Sequence, residues 1–316
     1  MNVHRIACIG AGLIGQGWAT VFSSKGFEVV LQDTSDTLLE NSLREIRSNL
    51  VFLEANGFIA PEEAHAAASS IEATTSMEEA VRHADYVQES VPDDYSIKKE
   101  VFRELDARAS DHAILASSSS GLLMTEIQGV TRKPDRCVLV HPCLPVYLIP
   151  LVEIAGGRET SPGTVDAACR LMKTVGKIPV TLKREVAGYV VNRLQAALVR
   201  EAIDLVDRGV VTAEEVDKAF CFGIGLRDPM IGPFLRIHLA GNGIEDFFRN
   251  YSESYHQRWA TMETWTSIPA SAVGRVIQGV REMGLVRTKT LNEIKVWRDE
   301  MLVRILRIMT DVPKTS

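Results

Sequence analysis

Three glycines near the N-terminus, Gly10, Gly12 and Gly15, follow a short apolar run at G-x-G-x-x-G spacing and precede a helix-like pattern. The first lets the chain turn tightly off a strand, the second lets backbone approach a pyrophosphate, and the third lets a helix pack closely on its strand. The helix N-terminus, at Leu13 and Ile14, offers free N–H groups and a positive dipole end to an anion. This order of strand, turn and helix predicts a dinucleotide-binding site.

A second apolar segment ends at Asp33, about 20 residues beyond the glycines, where this type of site has an acid that binds the ribose 2′-hydroxyl. A carboxylate at that place repels a 2′-phosphate, so the cofactor is predicted to be NAD rather than NADP. The alternative is an ordinary glycine-rich turn followed by a surface aspartate. The position of the turn between strand and helix, with the acid in place, favours the dinucleotide site.

The first part of the chain alternates between apolar strand-like runs and helical patterns, which predicts an α/β fold with a doubly wound, mainly parallel sheet of the Rossmann type. Ligands in such sheets bind beyond the carboxyl ends of the strands. Glu89, Ser120 and His141 all lie at or just after predicted strand ends. We expect residues 1–185 to form the NAD-binding domain.

From about Val186 the pattern becomes helical, beginning with a long apolar stripe that Gly209 ends. Residues 186–316 are therefore expected to form an all-α domain for substrate binding and dimerisation. Its apolar helices need a partner, and the first domain and a second subunit are the candidates. Further helices are predicted at about 234–250, 269–283 and 290–310.

The composition is that of a globular protein and argues against nucleic-acid-binding and membrane-spanning classes. The 316-residue chain is 46 % apolar with a net charge of −6, so neither nucleic acid nor an anionic membrane is an expected partner. No apolar run is long enough to span a bilayer, and the N-terminus lacks the organisation of a signal peptide. Five scattered cysteines without a C-x-x-C pair predict reduced thiols in a cytoplasmic protein and no metal site.

Over nearly its whole length the chain resembles the 3-hydroxyacyl-CoA dehydrogenase superfamily. Within it, the chain is most similar to the branch that contains lambda-crystallin and L-gulonate 3-dehydrogenase, with L-carnitine dehydrogenase near by. Several long matches in the right order are more specific than one motif. The matching stretches are residues 10–15, Gln88-Glu-Ser-Val-Pro, residues 117–122, the run from His141 to Glu153, Glu185-Val-Ala-Gly-Tyr-Val-Val-Asn192-Arg-Leu-Gln, residues 223–227 and Trp297-Arg-Asp-Glu.

The resemblance implies the site residues. His141 is the implied base for a substrate hydroxyl, since an imidazole titrates close to working pH. Glu153 matches the paired carboxylate that orients the ring and stabilises the imidazolium. Ser120 and Asn192 match the polar residues that bond the reacting oxygen, and Glu89 matches a residue near the nicotinamide ribose.

Each residue also has a structural interpretation. A histidine at a strand end is often only hydrogen-bonded, but a glutamate in an apolar strand is costly to bury unless it is paired. Four serines in a row leave the register of Ser120 open, and Asn192 can instead fix a helix to the sheet. Lys98 is either a cofactor contact or a solvated charge on a helix.

One position departs from the family, whose usual sequence is His-x-x-Asn-Pro. Leu144 stands where the family has asparagine, so catalysis is expected to survive while substrate orientation is in doubt. Arg227 lies in a stretch similar to the gulonate and carnitine branches. It is a candidate bidentate clamp for a substrate carboxylate, and an ion pair at the surface or between domains is the alternative.

The leading expectation is an NAD-dependent dehydrogenase that oxidises the 3-hydroxyl of a small acid similar to L-gulonate. An L-carnitine 3-dehydrogenase and a short-chain 3-hydroxyacyl-CoA dehydrogenase are the alternatives among enzymes. Outside enzymes, the alternative is a cofactor-binding structural protein, as the lens crystallin of this branch illustrates. The resemblance also implies a homodimer formed through the helical half.

Overall fold

The computed structural model of this chain describes residues 3–309, and the first part of it is built on one eight-stranded sheet. Most strands are buried along their length, as expected for the near-continuous apolar runs of parallel strands. The strands are β1 (Arg5–Ile9), β2 (Glu28–Gln32), β3 (Ile71–Thr74), β4 (Tyr86–Glu89), β5 (Ile114–Ser117), β6 (Cys137–Pro142), β7 (Leu151–Gly156) and β8 (Ile178–Thr181).

The strand order is β3-β2-β1-β4-β5-β6-β7-β8, and every neighbouring pair is parallel except β6 and β7. The chain leaves β1 toward one edge and returns to pair β4 on its other side, so the order reverses between these strands. Such a reversal opens a crevice at the carboxyl ends of the strands, where ligands bind. The sheet confirms the predicted α/β fold class of the Rossmann type.

Helices flank this sheet, and their first turns use different means to satisfy the free backbone N–H groups. In the helix that follows Asp94, the carboxylate accepts from the N–H groups of Ser96 and Ile97 at 2.8 and 3.2 Å. The helix after the glycine turn has Gly12 as its N-cap and no side-chain cap. These helices are α1 (Leu13–Ser23), α2 (Asp36–Ala55), α3 (Pro61–Ser69), α4 (Met77–Val81), α5 (Tyr95–Arg108), α6 (Met124–Gln128) and α7 (Pro162–Thr174).

The chain divides into two compact units, Met1–Arg193 and Leu194–Ser316. The predicted domain boundary after residue 185 stays a prediction. Helix α8 (Val191–Asp207) begins before the division and continues into the second unit. The helices after it belong to the second unit, and they are α9 (Ala213–Ala219), α10 (Pro233–His238), α11 (Ile244–Trp259), α12 (Ala270–Glu282), α13 (Gly284–Thr288) and α14 (Leu291–Met309).

Local signals explain where helices of the second unit begin and where one prediction was wrong. Thr212 and Glu215 form a reciprocal capping box at the start of α9, with N–H to oxygen distances of 3.0 and 3.3 Å. The single helix predicted over 234–250 is two helices, α10 and α11. Gly243 has a φ of +115° between them, a conformation that interrupts helical hydrogen bonding. In residues 3–309, no helix combines the length and apolar character needed to cross a membrane.

Candidate active site

The glycine turn between β1 and α1 has little room for side chains. Gly10 has a φ of +90°, and a Cβ there would lie 2.9 Å from the backbone carbonyl carbon and oxygen of Ser90. A Cβ on Gly15 would lie 1.8 Å from the carbonyl oxygen of Gly10, so only glycine lets α1 pack this closely on β1. Around Gly12 the space is open, and it is the side from which a pyrophosphate can approach the helix N-terminus.

Asp33 lies directly after β2 and stabilises the same turn. Its Oδ2 accepts from the N–H of Ala11 at 2.7 Å, and its Oδ1 accepts from the N–H of Thr34 at 2.7 Å. The carboxylate is half-buried, so part of it stays accessible for a ribose hydroxyl. On the first turn of α1, Leu13 is exposed and Ile14 is half-buried. The predicted cofactor residues of the turn therefore lie together and fit a bound dinucleotide.

His141 and Glu153 are direct neighbours across the antiparallel pair β6–β7. The Nδ1 atom of His141 lies 2.9 Å from Oε2 of Glu153, and the two residues are only 6 % and 0 % exposed. The other oxygen, Oε1, accepts from the N–H groups of Val190 and Val191 at 2.8 and 3.1 Å. Burial favours the neutral acid, but the hydrogen bonds from His141 and the two N–H groups outweigh it and lower the pKa of Glu153. The carboxylate is therefore ionised and fully bonded.

Ser120 and Asn192 are brought together by a direct hydrogen bond. Nδ2 of Asn192 donates to the carbonyl oxygen of Ser120 at 2.7 Å. Asp93, which sequence reasoning missed, accepts from the Ser120 hydroxyl at 2.8 Å and from its N–H at 3.0 Å. Burial opposes ionisation of Asp93, yet the serine hydrogen bonds prevail and lower its pKa. Its place after Pro92 at the carboxyl end of β4 is the sequence signal that points to it.

Glu89 and Lys98 form a buried ion pair with 2.7 Å between Oε1 and Nζ. Lys98 is 1 % exposed, so its interpretation as a solvated helix charge was wrong. The physical reason is that Nζ extends from α5 toward the end of β4, where it also donates to the carbonyl oxygen of Val91 at 3.1 Å. Ser117 donates to Oε2 of Glu89 at 2.6 Å. All partners of the buried carboxylate come from elements that meet at one end of the sheet.

The loop between β6 and β7 contains the departure from the family pattern. Leu144 is 50 % exposed, so its apolar side chain is accessible on the segment that follows His141. Cys143 beside it is half-buried, and burial, followed by the charge of Glu153, raises the pKa of its thiol. A thiol with a raised pKa is a poor nucleophile. Cys143 is therefore unsuited to covalent catalysis.

Arg227 belongs to the second unit, in the segment between α9 and α10. Its side chain is exposed, and within the described part of that unit it makes no ion pair. The neighbouring Asp228 pairs with Arg236 at 3.0 Å instead. The role of Arg227 as a carboxylate clamp stays a prediction.

Comparison with known proteins places the chain in a family. Residues 5–186 match the NAD-binding domain of 3-hydroxyacyl-CoA dehydrogenase, and residues 188–272 match its C-terminal domain. L-carnitine dehydrogenase of Oceanobacillus iheyensis is 36 % identical over 98 % of this chain and 99 % of its own. The lambda-crystallin homolog of Bos taurus is 35 % identical over 98 % of this chain and 97 % of its own.

Among solved structures, one similar protein is 5-formyl-3-hydroxy-2-methylpyridine 4-carboxylic acid 5-dehydrogenase, described as an NAD⁺-dependent dismutase. It is 28 % identical with a TM-score of 0.85, covering 98 % of this chain and 100 % of its own. The two family matches together span most of the sequence, and the glycine turn and Asp33 agree with the NAD-binding half. The chain thus belongs to the 3-hydroxyacyl-CoA dehydrogenase family and is an NAD-dependent oxidoreductase of that family.

Proposed function

We propose that this chain oxidises the 3-hydroxyl of a small free hydroxy acid, similar to L-gulonate, to the 3-keto acid. The observation that carries the proposal is the buried contact of 2.9 Å between Nδ1 of His141 and Oε2 of Glu153. An ionised carboxylate can only accept a hydrogen bond, so Nδ1 holds the proton and Nε2 has the lone pair. This is the tautomer that a base for a hydroxyl proton needs.

The proton and the hydride leave the substrate separately. His141 accepts the hydroxyl proton at Nε2 while the hydride leaves C3, and Glu153 stabilises the imidazolium that forms. Asn192 donates its second Nδ2 proton to the reacting oxygen, and in the reduction direction it stabilises the negative charge that develops on it. Ser120 gives its one hydroxyl proton to Asp93 in this structure, so it stabilises the same oxygen once that proton turns toward the substrate. When bound, NAD supplies the hydride acceptor. Asp93 orients the Ser120 hydroxyl through the 2.8 Å hydrogen bond.

The cofactor is held at the carboxyl ends of β1, β2 and β4. In this proposal Asp33 binds the ribose 2′-hydroxyl, and Glu89 and Lys98, the buried ion pair at the end of β4, serve the nicotinamide half of the cofactor. The residues that we assign to cofactor binding are Gly10, Gly12, Leu13, Ile14, Gly15, Asp33, Glu89 and Lys98.

Two residues bear on the substrate. Arg227 is exposed and without an ion pair in the described part of its own unit, which leaves its guanidinium available for a substrate carboxylate. Leu144 replaces a hydrogen-bonding amide by an apolar side chain, which weakens orientation of the family's usual substrates. Arg227→Ala should raise KM strongly for a free acid, and an unchanged KM would remove the clamp.

A panel assay separates the candidate functions. Absorbance at 340 nm is followed with NAD against L-gulonate, L-carnitine, 3-hydroxybutyrate and its CoA ester. The pyridine aldehyde acid named for the similar solved structure is added because the similarity covers 98 % of this chain. We expect the highest kcat/KM for L-gulonate among these. No activity with any substrate of the panel, with NADH binding retained, would favour the cofactor-binding structural protein.

We also propose that the chain works in the cytoplasm as a homodimer formed through its helical half. All five cysteines are free, which supports a reducing compartment. The second unit has apolar side chains that its own helices leave exposed, and a second subunit would cover them. Light scattering should give twice the 34.9 kDa of one chain. The side chains are Leu194, Leu198, Val273, Ile277 and Val280.

A further inference from the structure

We propose that Tyr189 is a positioning residue that aligns the His141–Glu153 pair and the serine loop from one point of the chain. The serine loop is the segment Ser118–Leu122 between β5 and α6. This inference rests on the proposed function, in which Ser120 and His141 act on the same hydroxyl. It is carried by three separate contacts of Tyr189: its backbone, its ring and its hydroxyl.

The backbone of Tyr189 has a φ of +49°, in the left-handed region that costs a residue with a side chain free energy. Gly188 before it also has a positive φ, of +76°. The tight turn that results directs the N–H groups of Val190 and Val191 to Oε1 of Glu153, at 2.8 and 3.1 Å. The strained turn therefore stabilises the ionised form of the acid that orients the imidazole.

The ring of Tyr189 packs against the imidazole of His141. Their centroids are 5.3 Å apart and the ring planes are inclined by 51°. Tyr189 is completely buried, so the ring cannot leave this position without opening the core. The contact limits rotation of the imidazole about its own axis and keeps water from that face of the ring.

The hydroxyl of Tyr189 donates to the carbonyl oxygen of Leu122 in the serine loop. Burial raises the pKa of this phenol well above its ordinary value, so the hydroxyl remains a donor over the whole working range. The hydrogen bond ties the serine loop to the residue that packs on His141. Phenylalanine at this position would keep the ring contact and lose the tie.

A pair of substitutions tests the ring and the hydroxyl separately. Tyr189→Phe removes only the hydroxyl, so we expect a fall of up to about tenfold in kcat/KM, mainly through KM, as for the loss of one hydrogen bond. The acid limb of the pH profile should not move. Tyr189→Leu also removes the ring, so water can reach the imidazolium and stabilise it. In this variant kcat should fall further, and the acid limb of the pH profile should move to higher pH.

Phe102→Leu is the matched control for the loss of a buried ring, because Phe102 is equally buried, lies in α5 and makes no ring contact with His141 among the described residues. We expect it to change the melting temperature without moving the pH profile. The inference is overturned if both Tyr189 variants keep the kcat/KM and acid limb of the wild type. The inference is also overturned if kcat/KM falls in both Tyr189 variants only in proportion to their loss of melting temperature, as expected for the control.

A second measurement does not depend on turnover. The ring nitrogens of His141 are observed by NMR with ¹⁵N-labelled histidine, and their signals are assigned with His141→Gln. We expect the Nδ1-protonated tautomer alone in the wild type and in Tyr189→Phe and a second tautomer or ring orientation in Tyr189→Leu, and the same spectrum in all three would contradict the positioning role. A wild type inactive across the substrate panel would refute the proposed function alone, since these spectra still decide the role of Tyr189.

Discussion

Replacing Glu153 by glutamine removes a charge from the site while nearly preserving its shape. In the wild type, Oε1 accepts from the N–H groups of Val190 and Val191, and Oε2 accepts from Nδ1 of His141. If the glutamine oxygen keeps the two backbone contacts, its NH₂ group faces Nδ1. Nδ1 must then accept rather than donate, and the proton moves to Nε2, where a base must have none.

The magnitude follows from the charge pair that catalysis creates. When His141 takes the substrate proton, an imidazolium faces the carboxylate of Glu153 across the 2.9 Å contact between Nδ1 and Oε2. For charge centres about 4 Å apart at an effective dielectric constant of about 20, the attraction is about 4 kcal/mol. Since each 1.36 kcal/mol is about tenfold in rate, kcat should fall by about 10³-fold. The wrong tautomer adds to this loss, and in serine protease triads the corresponding Asp→Asn change lowers kcat by about 10⁴-fold.

The assay is kcat from NADH absorbance at saturating NAD and substrate, with the melting temperature measured on the same preparations. Glu185→Gln is the control, because this carboxylate also accepts from a backbone N–H, that of Thr125 at 3.0 Å, but makes no hydrogen bond to His141 within residues 3–309. We expect its kcat to stay within about threefold of the wild type, as for a group outside the reaction. A kcat for Glu153→Gln within tenfold of the wild type would refute the reasoning.

Three further predictions concern the cofactor turn and the buried lysines. Asp33→Ala should weaken NADH binding by about tenfold or more and reduce the preference for NADH over NADPH, because a charged hydrogen bond is lost. If fluorescence titration gives the same preference in the wild type and the variant, Asp33 does not bind the ribose 2′-hydroxyl. Lys98→Met leaves Glu89 buried without its cation and should lower the free energy of unfolding by about 3–5 kcal/mol in urea. Lys99→Met, at the partly exposed pair of Lys99 with Glu126, should lower the free energy of unfolding by at most about 1 kcal/mol, and equal losses for Lys98→Met and Lys99→Met would contradict this prediction. Burial lowers the pKa of Lys177 from 10.5 to about 8, so between these values the folded state binds fewer protons than the unfolded state and stability rises with pH. Between pH 7 and 10.5, the free energy of unfolding of the wild type, measured in urea, should rise by about 3 kcal/mol relative to that of Lys177→Met. A difference between the two proteins that does not change with pH would contradict the lowered pKa of Lys177.

Several features of the site could be predicted because their signals are local. The glycine turn and Asp33 depend on backbone conformation and on a short spacing along the chain, so residue types alone indicate them. Lys98 could not be predicted in the same way. Its helix is strongly polar in sequence, and only the packing of α5 against the end of β4 turns Nζ toward Glu89. Asp93 was missed because its partner serine is 27 residues away.

The sequence by itself determined the α/β class and the dinucleotide turn, since hydrophobic periodicity and glycine spacing act within one or two elements. The resemblance of several stretches, in the right order, indicated the family. Tertiary structure alone decided how the reacting groups meet. The antiparallel pairing of β6 and β7 puts His141 opposite Glu153, and a left-handed residue at Tyr189 sends two N–H groups to the same carboxylate. Register and long-range hydrogen bonds depend on contacts between distant segments, and no pattern within a single segment specifies them.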